Sequence, residues 1–403
     1  MPHFVVIGAG QAGSSLTAKL RSLGFDGRIT LIGQEPEPPY QRPPLSKAYL
    51  LGEMEKERLF LRPESFYAEN GIDLVLGERV SSIDKAAETV TVGGRSIAYD
   101  QLALTTGSVP RRLPASVGGA LKGVHVVRTL QDVDAMAPEM QPGKTALIVG
   151  GGYIGLEAAA VARKIGLKVT LVEMADRILQ RVAAPETSDY FRALHKRHGV
   201  DLREGVGLDT LLGETHVTGA RLSDGTELDV DVVVVGVGIA PATALAEAAG
   251  LSIDNGIAVN GLGQTSDPSI WAAGDCASFP YQGGRLRLES VQNAIDHAES
   301  VAANMLGAGT VYVPYPWFWS DQYDIHLQIA GLNTGYDRIV TRIGDHSHAH
   351  SYWYFRGDVL LAVDAMNDPR AYMVGKRLIQ MGKSPETRLI EDPSTELKSL
   401  LRG

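Results

Sequence analysis

Two glycine-rich hexapeptides, GAGQAG at residues 8–13 and GGGYIG at residues 150–155, carry the first chemical signal in this chain. Both fit G-x-G-x-x-G, with Gly8, Gly10 and Gly13 in one copy and Gly150, Gly152 and Gly155 in the other. The first glycine of such a loop makes the tight turn and the second lets a pyrophosphate approach the backbone. The third lets the following helix pack closely on the preceding strand. The helix then offers its free N–H groups and positive dipole end to the diphosphate. Two copies point to two dinucleotides, a flavin and a nicotinamide.

Acids at the end of the next strand choose the nucleotides. Glu173 closes KVTLVE, where a carboxylate can accept from both ribose hydroxyls and would repel a 2′-phosphate. Met174 and Ala175 supply no cation for such a phosphate, although Arg177 is near. NADH is therefore expected over NADPH. The first copy ends Gly33-Gln34-Glu35, so its ribose ligand is Gln34 or Glu35. Glu157, two residues past Gly155, is expected in the first helical turn, facing the nicotinamide carboxamide and the flavin edge.

Each Gly loop needs a strand before it and a helix after it, and the pattern supplies both. Phe4–Ile7 leads into a helix over 14–22 and a strand over 28–32. Lys144–Val149 leads into a helix over 156–164 and a strand over 168–172. A chain of 403 residues exceeds what one core serves, so two or three domains are expected. The 45 glycines fit a protein with many close backbone approaches. A formal charge of −9 argues against a general nucleic-acid binder. No apolar run approaches the ~18 residues of a membrane helix. The opening MPHFVVIGAG has no basic n-region, and its first strand leaves no room for a targeting peptide. One cysteine allows no internal disulfide, so the expected setting is a reducing cytoplasm.

Three further stretches complete a pattern: PYQRPPLSK (39–47), LALTTGSVPR (102–111) and IWAAGDCA (270–277). Together with the two Gly loops they resemble the glutathione-reductase-like flavoproteins with two dinucleotide sites. VVRTLQDVDAM, RLESVQNA and PWFWSDQY narrow the resemblance to the FAD-dependent ferredoxin reductases of bacterial oxygenase systems, the family of the putidaredoxin, palustrisredoxin and biphenyl dioxygenase reductases. The likeness covers essentially the whole chain.

The resemblance implies an α/β fold of two Rossmann-like dinucleotide-binding domains and a C-terminal α+β interface domain. FAD would be bound by residues 1–112 and 239–315, NADH by 113–238, with the interface domain over 316–403. DVVVVGVGIAP (231–241) would be the return crossing. It also implies FAD contacts for Gly8, Gly10, Ala12, Gly13, Gln34 or Glu35, Arg42, Lys47, Val80, Thr106, Gly107, Arg128, Gly274, Asp275, Val291 and Trp319. Gln34 departs from the acid frequent in the family. The NAD set is Gly150, Gly152, Tyr153, Ile154, Gly155, Glu157 and Glu173, and the family's equivalent of Glu157 pairs with that of Lys47. The catalytic candidates are thus Lys47 and Glu157, with hydride passing from nicotinamide C4 to flavin N5.

Relatives that reduce small disulfides use a cysteine pair, and others use one cysteine soon after the first motif. Cys276 sits in neither place, so it is expected to be a small buried residue. Electrons would leave the flavin directly, which suits a [2Fe–2S] ferredoxin that supplies an oxygenase, a haem-thiolate monooxygenase foremost. Trp317 and Trp319 share a face if extended, one to cover the flavin and one to rim the docking surface. Arg370, Lys376, Arg377 and Lys383 gather on and after a helix expected over 369–381, as a cationic patch for an acidic ferredoxin. Alternation would place His346, His348 and His350 on one strand face, yet no metal is expected there. His195 and His198 read as structural residues of an amphipathic helix. The same fold serves NADH oxidases and quinone reductases, against which the missing cysteine and membrane element count. It also serves flavin-bound signalling proteins resembling apoptosis-inducing factor, which usually carry targeting or inserted segments.

Overall fold

The computed structural model describes residues 1–402. Its contacts divide the chain into two compact units. One comprises Met1–Arg42, Glu55–Val109 and Ile239–Pro316; the other comprises Pro43–Met54, Pro110–Gly238 and Trp317–Gly403.

In the first unit the strand His3–Ile7 is the middle of five, with Arg28–Ile32 and Ile72–Val75 on one side and Gln101–Leu104 and Ile270–Ala272 on the other. All pairs are parallel, and the registers run Ile7 to Ile32 and Ile7 to Leu104. Parallel strands buried on both faces read as near-continuous apolar runs, which is why FVVI shows no alternation and why even Thr30 in RITLI is buried. Val5 and Ile7 enter one core, while Phe4 and Val6 enter the other beneath the helices Gln11–Ser22 and Val291–Met305. An antiparallel three-stranded sheet over Val80–Ala98 covers the first of these cores.

The second unit repeats the plan. Thr145–Val149 is central, flanked by Lys168–Glu173 and Asp201–Glu204 on one side and by Val232–Val235 and Val124–His125 on the other. Its own three-stranded antiparallel sheet spans Leu208–Asp229. The stretch 231–241 is two strands, Val232–Val235 and Ile239–Pro241, and the chain passes from the second unit back to the first between Gly238 and Ile239, inside the expected crossing.

Both Gly-loop helices start before the apolar pattern does, at Gln11 and Tyr153. Gly10 and Gly152 are their extended N-caps, so the ends of the loops already form the first turns. The amides of Ser14 and Leu156 donate back to Gly10 and Gly152 carbonyls at 3.0 Å each. Glu157 consequently opens the second turn of its helix, not the first.

The C-terminal part of this unit is a five-stranded antiparallel sheet in the order Trp317–Gln322, Ile325–Gly331, Val359–Met366, His350–Arg356, Arg338–Ile343. Alternation splits its faces. Trp353, Phe355 and Val363 pack under the helix Pro369–Gln380, whose Asp368 cap accepts from the Ala371 amide at 3.0 Å. On the opposite face, Asp364 accepts from Thr187 Oγ1 at 2.7 Å and from the Tyr354 hydroxyl, which in turn accepts from the Ala184 amide. The expected three-histidine strand does not form. Only His350 is in a strand, because the Ala349 amide closes a turn onto the His346 carbonyl.

Candidate active site and cofactor cradles

The two Gly loops agree atom for atom in their logic. Gly8 and Gly150 have φ of +115° and +108°, and a Cβ on either would meet the neighbouring strand's backbone, at 2.2 Å from Thr105 O and 2.4 Å from Gly236 O. A Cβ on Gly13 or Gly155 would stand 2.0 Å from the carbonyl of Gly8 or Gly150. On Gly10 and Gly152 it would meet nothing within 4 Å. The second glycines therefore leave open space in front of uncapped helix N-termini, and a dinucleotide diphosphate fits that cradle.

Around the first cradle, loops gather at the carboxyl ends of adjacent parallel strands, where ligands of such sheets bind. Thr105 Oγ1 donates to Gly8 O at 2.9 Å, and Ser108 Oγ donates to Asp275 Oδ2 at 3.0 Å. Thr106 Oγ1 donates to Ala242 O at 2.7 Å, and Gly107 has φ +70°. Gly274, at φ +79°, lies where a Cβ would come 3.0 Å from Ala12 Cβ, so the GDC turn abuts the Gly-loop helix. Val291 opens the helix Val291–Met305, capped by Ser290 Oγ. Glu35 receives Arg42 Nη2 at 2.6 Å and the Tyr40 hydroxyl, whereas Gln34 is exposed. The Val80 side chain is buried in the core. Cys276 is fully buried, its Sγ against the carbonyls of Ala273 and Leu104 at 3.4 and 3.5 Å, and burial pushes its thiol pKa up. Such a thiol is a poor nucleophile.

In the second unit, Glu173 accepts from the amides of Gly151 at 2.7 Å and Ala175 at 2.8 Å. These bonds hold its carboxylate beside the second cradle. The Arg177 guanidinium is occupied by Ser188 Oγ at 2.6 Å. Ile154 is exposed, and Tyr153 packs on Phe318 with ring centroids 4.9 Å apart. This unit also holds Lys47, Arg128 and Trp319; Arg128 directly precedes Thr129, the N-cap of the helix Leu130–Met136.

Lys47 and Glu157 come together. Lys47 Nζ lies 3.0 Å from Glu157 Oε2, with side-chain exposures of 19% and 3%. Two prolines and a short 3-10 turn, Pro43–Ser46, fix the approach of Lys47, whose amide donates to Pro44 O at 3.0 Å. Lys164, two turns beyond Glu157, pairs with Glu53 at 2.7 Å, and Tyr49 donates to Asp134 at 2.7 Å. A buried ion pair is tolerable only when its remaining atoms are satisfied. Here Ser46 Oγ donates to Glu157 Oε2 at 2.8 Å and Ser320 Oγ to Oε1 at 2.7 Å. The two serines escape a motif search, although Ser46 sits beside Lys47 and Ser320 lies one alternation from Phe318.

Trp317 and Trp319 share a face, their centroids 5.5 Å apart, with Lys376 Nζ 4.8 Å over the Trp317 ring. Arg370 and Arg377 are exposed seven residues apart on the helix Pro369–Gln380, and Arg370 meets Asp345 at 3.1 Å. Among the described residues no group of three or more His, Cys, Asp or Glu is arranged to hold a metal ion, and no helix is long and apolar enough to cross a membrane.

Two cradles and a buried acid–base pair define a pyridine-nucleotide enzyme, and comparison with known families agrees. Residues 2–298 match the model described as pyridine nucleotide-disulphide oxidoreductase, and residues 317–401 match the reductase C-terminal model. The chain belongs to the pyridine nucleotide-disulphide oxidoreductase family, whose ferredoxin reductase members use FAD and NAD(P)H. Within it, the chain is 42% identical over 408 residues to the 5,5′-dehydrodivanillate O-demethylase ferredoxin reductase subunit of Sphingobium sp., covering 99% of both chains. It matches the crystal structure of the covalent putidaredoxin reductase–putidaredoxin complex with a TM-score of 0.95 and 40% identity, covering 100% of this chain and 98% of that one. The ferredoxin reductase for the CYP199A2 system from Rhodopseudomonas palustris gives 0.95 and 40%, covering 99% of both.

Proposed function

We propose that this protein carries electrons from NADH through FAD to a [2Fe–2S] ferredoxin that supplies an oxygenase, a haem-thiolate monooxygenase foremost, and that it does so in the cytoplasm. The observation that carries this reading is two dinucleotide cradles in a chain whose one thiol, Cys276, is sealed in a core. A disulfide-reducing relative needs a thiol at the flavin, and this chain has none to offer there. The relatives named above act with ferredoxins or in oxygenase systems, which supports the same acceptor.

The chemistry that FAD would supply when bound is acceptance of a hydride and release of electrons singly to an iron–sulfur centre. The rest is done by side chains. The first cradle, with Asp275, Arg42 and either Glu35 or Gln34, holds FAD; the second, with Glu173 on the ribose, holds NADH. Thr106, Gly107, Val80, Arg128, Val291 and Trp319 complete the FAD contacts, and Tyr153 and Ile154 those to NADH. Glu157 orients the nicotinamide carboxamide, and Lys47 sets positive charge at the flavin edge, which favours the reduced ring system. The FAD domain in this reading is residues 1–112 with 239–315, the NADH domain 113–238 and the docking domain 316–403. Arg370, Arg377, Lys376 and Lys383 attract the acidic partner, an effect that salt screens.

The test is steady-state NADH oxidation by the FAD-loaded protein, with and without a bacterial [2Fe–2S] ferredoxin, read through reduction of cytochrome c. Strong stimulation by ferredoxin over slow oxygen consumption is expected. Fast oxidation indifferent to every ferredoxin would make oxygen or a quinone the acceptor.

A further inference from the structure

Glu157 is the end of a longer chain of contacts. The strand Trp317–Gln322 turns alternate residues toward two helices of its own unit, the cradle helix Tyr153–Ile165 and the helix Pro185–Arg197: Phe318 meets Tyr153, Ser320 meets Glu157, and Gln322 meets His195. Gln322 Nε2 lies 3.2 Å from Ser320 Oγ, and Gln322 Oε1 lies 2.8 Å from His195 Nε2. His195 Nδ1 is 3.3 Å from the Tyr323 hydroxyl. Ser320, Gln322 and His195 have no exposed surface, and Glu157 has 3%.

Only one set of proton positions satisfies this chain. The Glu157 carboxylate accepts and never donates, so the Ser320 proton points at Oε1. Ser320 Oγ must then accept from the Gln322 amide nitrogen, which turns Gln322 Oε1 toward His195. His195 must in turn be the Nε2–H tautomer, leaving Nδ1 to accept from Tyr323. Reversing the Gln322 amide would draw the Ser320 proton away and strip the carboxylate oxygen of its donor. Burial pulls the His195 pKa down to about 4, so the imidazole stays neutral over the working range of pH. Tyr323 is itself held: its backbone is left-handed at φ +56°, and its ring stacks on His198 with centroids 3.7 Å apart and planes at 5°.

We propose that Ser320, Gln322 and His195 form a one-way hydrogen-bond chain that positions the Glu157 carboxylate against Lys47, making the strand Trp317–Gln322 part of the NADH-oxidising site and not only of the docking domain. The proposal rests on the role given to Glu157 above. His195, which reads from the sequence as structural, becomes the remote anchor. In this role the three residues touch neither substrate nor cofactor; they are positioning residues. Each link is a hydrogen bond between buried side chains, and the last is charge-assisted, the kind that fixes geometry most strongly.

The experiment uses the FAD-loaded protein and follows flavin reduction by NADH in stopped flow, with FAD content and melting temperature as controls. Ser320→Ala should lower the limiting rate about tenfold with little change in half-saturating NADH, as loss of near-attack alignment does. Ser320→Thr, which keeps the hydroxyl, should recover most of that rate. In a Glu157→Gln background, Ser320→Ala should cost nothing further. The pair Gln322→Leu with His195→Phe, which removes both partners of one bond, should also slow reduction. Equal losses from Ser320→Ala in both backgrounds, or no loss in either while Glu157→Gln is slow, would overturn the chain alone. A Glu157→Gln variant as fast as the parent would instead remove the role of Glu157, and the chain's purpose with it.

Discussion

Lys47 Nζ stands 3.0 Å from Glu157 Oε2, and the same carboxylate oxygen accepts Ser46 Oγ at 2.8 Å, so neighbouring residues of one short segment grip one oxygen on a helix. Such a grip fixes both the carboxylate and the ammonium before any coenzyme arrives. Glu157→Ala or Glu157→Gln should slow flavin reduction by NADH about 10- to 100-fold or weaken NADH binding. Lys47→Met should do much the same, and the double variant should be no worse than the poorer single, because the two act as a unit. Glu157→Ala strands a largely buried ammonium, so the double variant should melt higher than Glu157→Ala. Additive rate losses in stopped flow would contradict this coupling.

The second and third glycines of one loop should fail in different ways. A Cβ at Gly152 meets nothing within 4 Å, while one at Gly155 would be driven to 2.0 Å from Gly150 O. Gly152→Ala should therefore keep the parent's melting temperature and FAD content yet bind NADH about tenfold or more weakly, since the methyl occupies the diphosphate's approach. Gly155→Ala should cost roughly 1–3 kcal/mol of stability through forced backbone shifts. A Gly152→Ala protein that binds NADH normally by titration would remove the diphosphate from that cradle.

The geometry of the two Gly loops was legible in the sequence because it is local: strand, loop and helix are contiguous, and each glycine's steric role follows from its place in the loop. Helix starts were less legible, because Gly10 and Gly152 serve as N-caps without the side-chain oxygen that usually marks one. The partners of Glu157 were the least legible. Ser46 and Ser320 are ordinary residues until a tertiary fold brings them to one carboxylate, and no spacing encodes that meeting. His346 and His348 erred in the other direction, since an alternation of types is no strand when a turn closes through it.

The proposed preference for NADH rests on Glu173, whose oxygens are steadied by the Gly151 and Ala175 amides while Arg177 is held by Ser188. A fixed negative charge, with the Arg177 guanidinium engaged by Ser188, should disfavour a 2′-phosphate. The parent should show a higher kcat/KM with NADH than with NADPH. Glu173→Ala should shrink that ratio about tenfold or more, and adding Met174→Arg at a neighbouring exposed position should shrink it further. A parent that prefers NADPH in side-by-side assays would refute the assignment.

Asp364 makes stability depend on pH in an unusual direction. Burial, the largest influence on it, pushes its carboxyl up to about 6 even though Tyr354 and Thr187 donate to it. A carboxyl with a raised pKa in the fold holds its proton where the unfolded chain has released it. Its contribution is therefore full below about pH 4, declines as pH rises to about 6, and stays lost above that. The forfeited stability is about 3 kcal/mol by the width of that window. Asp364→Asn cannot ionise, so its melting temperature relative to the parent should be more favourable at pH 7.5 than at pH 4. The buried histidines His195 and His297, held down to about 4 and about 3 by burial, weaken both proteins alike as pH falls below 6.5, so the comparison cancels them. A difference in melting temperature that is flat across this range would mean that Asp364 is ionised in the fold at every pH tested.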